Sequence, residues 1–369
     1  MLLNARRRVH AVGRRNWSWF FLLLVPSLLV GVLEGCDQLL LGPEAENTPL
    51  SNFDILWKAF DENYPLFTVK HINWDSLRVV YRSQISSTTC ETALWDITAA
   101  LLLHLNDGHV KLFSKGYTHG VSGSPLNFRK ADDFSLGLIE GKFINGMKTA
   151  GDNLFVYGTL KPSFSAKSIG YLHVGAFVSA ASKGDAWAYE IDKVVRDLGS
   201  CDAMIIDLRN NGGGTKLAVT IIAAPFVDRA ITYFYQREKM GPGHDDFGEP
   251  IPLTVTPREG APQFTKSIAL LTNRFSASGS EHFAEIFKHL PYATQIGDTT
   301  FGAFGDIINN AQLPNGWGYS YPCRLTLRPD GTCPEGLGIL PAMLVENTAA
   351  DITAGNDNVM AAAIEHLSR

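Results

Sequence analysis

The chain has 369 residues, 45% of them hydrophobic, with a formal net charge of −5. That length buries a sizeable core and fits about two domains on a prior of roughly 150 residues each. The acidic balance gives no footing for a nucleic-acid partner, because the basic residues form a single cluster, at the N-terminus.

That cluster, Arg6, Arg7, Arg8, Arg14 and Arg15, precedes the apolar run WSWFFLLLVPSLLVGVL. A charged stretch, an apolar stretch and then small residues predict a signal peptide over 1–35. The run is short for a membrane span and contains Pro26, which favours cleavage over a permanent helix. LEGC resembles a bacterial lipobox, so Cys36 is the expected lipidation site, with Glu34 an unusual residue inside the pattern. Uncleaved anchoring and plain secretion are the alternatives. The expected location is the bacterial cell envelope, periplasmic or at the surface, with the chain lipid-anchored to the inner or outer membrane.

A polar tether over 36–51 leads into a helical segment, 52–110, where Phe53, Leu56, Trp57 and Phe60, and later Leu94, Ile97, Leu101 and Leu105, recur at helical spacing. From 111 to 168 the pattern weakens, and LGLIEGKFI and NLFVYGTL suggest short strands in a connecting arm. From 169 to 369 the rhythm is clear. IGYLHVGAF, AMIIDL, SIALLTN and TQIGD read as strands, and WAYEIDKVVRDL and KLAVTIIAAPF as helices between them. This alternation predicts an α/β fold with a mainly parallel sheet. A strand pair around LPNG follows. Cys90, Cys201, Cys323 and Cys333 show no metal-ligand spacing. Cys323 and Cys333 are either free thiols or, in an exported protein, a disulfide.

Two strand ends carry chemistry. DLRNNGGG, Asp207 to Gly214, places three glycines after a buried strand, where exposed amides suit a negative charge or the glycines simply make a tight turn. The absence of a Gly-Lys-Ser/Thr or G-x-G-x-x-G pattern argues against phosphate. RFSASGSEHF, Arg274 to Phe283, follows the next buried strand. There Ser278 and Glu281 fit a capping box, and a serine at such a junction also sits where active sites of open α/β sheets concentrate. A serine nucleophile needs a base. The candidate is His109 in HLNDGHV, with His104 on the preceding helix a weaker choice.

Together IIDLRNNGGG, FSASGSE, GDTTFG, LPNG and EGLGILP resemble the tail-specific, or C-terminal processing, serine peptidases. FDILWKAFDENYPLF, INWDSLRVVYRSQI and LLLHLNDGHV resemble the helical C1 domain of the branch similar to the tricorn protease core. The resemblance implies a crotonase/ClpP-like core over 169–369 preceded by that helical domain. It implies Ser278 as nucleophile, Gly213 as the oxyanion amide with Gly212 beside it and Gly279 assisting, His109 as base, and Glu335 of EGLGILP as the group that orders the histidine. Many members take a lysine base from a G-K-G segment. The corresponding residue here is Ala303, which excludes a Ser/Lys mechanism. Ala342 replaces the usual aspartate after the motif's proline, and Gly108 stands where a serine can precede the histidine. The stretch 111–168 is too short for a complete PDZ domain.

The expected function is an exported serine peptidase acting on peptides or unfolded protein tails, without metal or cofactor. A non-catalytic relative that binds peptide or an apolar ligand, and a small-molecule esterase, are the rivals.

Overall fold

Short apolar runs set between amphipathic stretches fold this chain into strands covered by helices. The computed structural model describes residues 46–114, 121–123 and 132–369, without the side chains of 121–123, Asn309 and Asn310. The expected signal peptide, Cys36 and most of the tether lie outside the described residues.

Helix α1 (Pro49–Asn63) begins inside the stretch read as tether. Thr48 caps it, accepting the Ser51 N–H at 3.1 Å, and Pro49 occupies the first turn, both favourable ways to start a helix. Helices α2 (Trp74–Arg82) and α3 (Glu91–Leu103) follow. Phe53, Phe60, Phe67 and Trp74 form their buried aromatic core. Within it Trp57 and Trp74 each donate an indole N–H to the other's carbonyl, at 3.3 and 3.1 Å.

The chain continues as β1 (Asp107–Phe113), β2 (Val121–Gly123), β3 (Ile144–Ala150), β4 (Phe155–Leu160), β5 (Ile169–Val174), α4 (Ile191–Leu198), β6 (Ala203–Asp207) and α5 (Lys216–Ala223). Then come β7 (Ile231–Glu238), β8 (Ile251–Val255), β9 (Ser267–Thr272), α6 (Gly279–Lys288), β10 (Ala293–Gly297), β11 (Ile307–Gln312), β12 (Gly318–Pro322), β13 (Arg324–Leu327), β14 (Met343–Leu344) and α7 (Asn358–Ser368).

The main sheet has the order β14-β10-β9-β6-β5-β4-β3. Strands β14, β10, β9, β6 and β5 run parallel, and β4 and β3 add antiparallel at one edge. The segment read as a connecting arm thus supplies two strands of this sheet. Its LGLIEGKFI piece is helical over Leu136–Phe143, because the Ser135 hydroxyl accepts the Leu138 N–H at 3.2 Å and starts a turn there.

Buried Ile191, Val194, Ile222 and Phe283 pack α4, α5 and α6 on one face of the sheet, while Val359, Met360 and Ala363 pack α7 on the other. Arg209, just past β6, fixes α7 in place. Its buried guanidinium donates to Asp207 at 2.7 Å and to both oxygens of Asp357 at 2.9 Å, and Asp357 in turn caps α7.

A second sheet, β11-β12-β1-β2, carries Tyr319 and Tyr321 into the aromatic core of the helices, and β13-β7-β8 form a third. Residues 48–369 make one compact unit. Cys90, Cys201, Cys323 and Cys333 are all free thiols. Among the described residues no helix is long and apolar enough to cross a membrane.

Candidate active site

Strands β6 and β9 are parallel neighbours with Asp207 opposite Leu271, so the glycine loop and the serine loop leave the sheet side by side. They are stitched together. Leu208 N–H donates to Leu271 O (2.9 Å), Ala277 N–H to Asn211 O (3.0 Å), Ser276 Oγ to Leu208 O (2.8 Å) and Ser280 Oγ to Asn211 O (2.8 Å). Ser276 and Ser280 are therefore buried donors into the neighbouring loop, whereas Ser278 lines a cavity of about 750 Å³.

Ser278 has φ +53°, a region that costs a non-glycine residue about 1–3 kcal/mol and persists where surroundings enforce it. A strained strand-to-helix turn of this kind lifts a serine out at the head of a helix. Glu281, one turn into α6, holds the turn. Its Oε2 accepts Ser278 N–H (2.9 Å) and Ala303 N–H (2.8 Å), and its Oε1 accepts Gly302 N–H and Thr300 Oγ1–H (both 2.6 Å). Burial pushes this carboxyl up to about 7 against the pull of its four donors. One residue thus caps the helix and pins the loop that carries Ala303.

The three glycines divide the work. The N–H of Gly213, the expected leading oxyanion donor, donates to Asn211 Oδ1 at 2.9 Å. Gly213 is needed for close approach, since with φ +97° a Cβ there would lie 2.6 Å from Ala277 O and Gly279 N. The N–H groups of Gly212 and Gly279 make no hydrogen bond among the described residues, and both glycines line the cavity.

His109 reaches the same cavity from β1. Ser320 Oγ on β12 donates to its carbonyl at 2.8 Å, and its own N–H donates to Asp107 Oδ1 at 2.8 Å. Burial pulls its imidazole below the ordinary 6.5, while the charge of Asp107 pulls the other way. An imidazole nitrogen of His109, a carboxylate oxygen of Asp107 and one of Glu335 lie within 4.8 Å of one another. Positive charge in the cluster is supplied by Lys70, with Nζ 3.4 Å from Asp107 Oδ2. Glu335 Oε2 accepts the Phe304 N–H at 2.8 Å, and among the described residues Oε1 has no hydrogen-bond partner. Ala342 is exposed, its N–H donating to Gln295 O at 3.0 Å.

Sequence reasoning brings Ser278, His109, Gly212, Gly213 and Gly279 to one cavity, with Glu335 behind the histidine. It missed Asp107, which the D-x-H spacing could have flagged, and Tyr64, Lys70, Lys216 and His282, for which no local signal exists. Lys216, at the head of α5, lines the cavity while bonded to Asp306 (2.6 Å) and Gln236 (2.8 Å). His282 lies one turn beyond Ser278. Its Nε2 is 3.0 Å from Phe304 O, and burial pulls it down to about 4.

A parallel sheet with a strained serine at a strand-to-helix turn defines the class of α/β hydrolytic enzymes that work from the carboxyl ends of their strands. Peptidase family S41 matches residues 168–345, and the tricorn protease C1 domain matches residues 45–102. A putative peptidase from Parabacteroides merdae, known from its crystal structure, is similar at 30% identity over 88% of this chain and 98% of its own, with a TM-score of 0.77. The carboxyl-terminal-processing protease of a Synechocystis species is 29% identical over 218 residues, 58% of this chain and 47% of that protein. Carboxy-terminal processing protease CtpB of Bacillus subtilis is 25% identical over 181 residues, 48% and 34% of the two chains. The chain belongs to peptidase family S41. It spans about a third to a half of the length of these two curated relatives.

Proposed function

We propose that this chain is a serine peptidase hydrolysing peptide bonds of peptides or unfolded protein tails, with Ser278 as nucleophile and His109 as general base. One observation carries the reading: Ser278, His109 and the unbonded amides of Gly212 and Gly279 line one cavity. Ser278 Oγ attacks the scissile carbonyl as His109 takes its proton. The new oxyanion is held by the Gly212 and Gly279 N–H groups, and His109 then returns the proton to the leaving amine. Water, activated by the same histidine, releases the acyl group. General base catalysis contributes about 10²–10⁴-fold, and each oxyanion donor about 10²–10³-fold.

The depressed His109 keeps its imidazole neutral, and so able to accept a proton, at neutral pH. Activity accordingly rises with pH along an acid limb centred below 6.5. The arginine-rich start, the apolar run and LEGC support export to the cell envelope and lipid attachment at Cys36.

The test is turnover of unstructured peptides by the protein lacking residues up to 36, with products sequenced by mass spectrometry. Peptide-bond cleavage that is lost in Ser278→Ala supports the reading. Hydrolysis of aryl esters alone would make it an esterase, and saturable peptide binding without cleavage would make it a binding protein.

A further inference from the structure

A histidine base needs a carboxylate that is ionised when the imidazolium forms, and two carboxylates stand beside His109. We propose that Asp107, not Glu335, positions His109 and steadies its imidazolium, and that Tyr64 and Lys70 of the helical segment hold Asp107 for that task. The inference rests on the Ser278/His109 reading above.

The two side chains are built differently. Asp107 and His109 stand two apart on β1, and a carboxylate oxygen of Asp107 lies within 4.8 Å of an imidazole nitrogen of His109. Three donors fix the aspartate. Oδ1 accepts the His109 backbone N–H at 2.8 Å, and Oδ2 accepts the Tyr64 hydroxyl at 2.7 Å with Lys70 Nζ at 3.4 Å. Lys70 is itself locked to Leu105 O and Asn106 O, each at 3.0 Å. An ammonium, a phenol and an amide hold this carboxylate, with 0% side-chain exposure, in one orientation, and burial strengthens the interaction between a charge and a nearby imidazolium.

Among the described residues Glu335 has one donor, the Phe304 amide, and a buried oxygen without a hydrogen-bond partner. A buried carboxyl with a free oxygen near another carboxylate is the member of the pair that keeps its proton. Burial and the charge of Asp107 raise Glu335 well above the usual range, in keeping with this. Its evident task is to hold Phe304 on the cavity wall. Tyr64 closes α1, so its buried hydroxyl, together with the Lys70 ammonium, ties the helical segment to the carboxylate beside the base. The charged groups that bear on His109 are Asp107 and Lys111 on its own strand, Lys70 after α1, Asp306 before β11, His282 on α6 and Glu335 after β13.

The experiment compares Asp107→Asn, Glu335→Gln and Tyr64→Phe in the full chain, reading kcat, KM and the pH profile of kcat/KM, with Ser278→Ala and His109→Ala as blanks. Asp107→Asn is expected to lower kcat by on the order of a hundred-fold or more with KM within about three-fold. It should also move the acid limb to lower pH, because the charge that raises His109 is gone. Glu335→Gln is expected to cost less than about ten-fold and to leave that limb in place. Tyr64→Phe takes a donor away from Asp107 and leaves its charge less shared, so it should move the limb by a smaller step to higher pH, and it decides the matter if Asp107→Asn does not fold. An active wild type whose Glu335→Gln variant is the more damaged, or whose acid limb is unmoved by the Asp107 and Tyr64 changes, overturns this inference alone. A wild type that cleaves as well with Ser278 or His109 replaced overturns the reading beneath it as well.

Discussion

Gly213→Ala measures how tightly the glycine loop is pressed against the nucleophile. At φ +97° an alanine Cβ would stand 2.6 Å from Ala277 O and Gly279 N and 2.8 Å from Ser278 Cβ. The atoms in the way are backbone or lie next to it, so they yield only if the serine turn moves. Forcing a side chain into the left-handed region costs about 1–3 kcal/mol, and overpacking a close contact about 1–3 kcal/mol more, for a loss of about 2–6 kcal/mol. Gly212→Ala is the matched comparison, because a Cβ there meets nothing within 4 Å and its φ is not positive; its stability should change by about 0.5 kcal/mol or less. Urea denaturation followed by tryptophan fluorescence reads both variants against the wild type. Equal midpoints for the two alanine variants would refute the argument that these loops are in contact through Gly213.

Other substitutions probe the frame around the site. Asp357→Ala leaves Arg209 with half of its buried partners, so it should cost about 3–5 kcal/mol and speed amide exchange in α7; a loss below about 1 kcal/mol would contradict the clasp. His282 titrates near 4 in the fold against an ordinary 6.5, so its contribution is present above 6.5 and is lost as pH falls through 4. That is worth about 3 kcal/mol. His282→Gln lacks this term, and the stability gap between wild type and variant should narrow by about that amount between pH 7 and 4. A gap that does not change with pH would show that His282 is not held neutral.

The parallel core was legible because its central strands carry apolar runs, as in AMIID and SIALLT, set between helical patterns. Ser278 and the glycines were legible as strand-end motifs. What stayed hidden depends on pairing across long separations. β1 looked like the frayed end of a helical segment because its partner β12 lies about 200 residues away, with Lys111 opposite Ser320. The edge strand β3 reads INGMKTA, with buried residues only at its ends, and carries no alternation to betray it. The commitment of Gly213 to Asn211 was equally invisible, since in NNGGG all three glycines offer the same backbone. Tyr64 reaches Asp107 only once α1 is folded over β1, and nothing local to FDENYPLF marks that phenol as part of the site.

The central claim is that Ser278 is a nucleophile activated by His109. Its most direct test is labelling of the folded protein with a fluorophosphonate probe, with the adduct located by mass spectrometry and Ser278→Ala and His109→Ala run alongside. The account predicts one adduct on Ser278, absent from Ser278→Ala and slowed by at least about a hundred-fold in His109→Ala. An adduct on another residue, or labelling of Ser278 at the wild-type rate without His109, would contradict it.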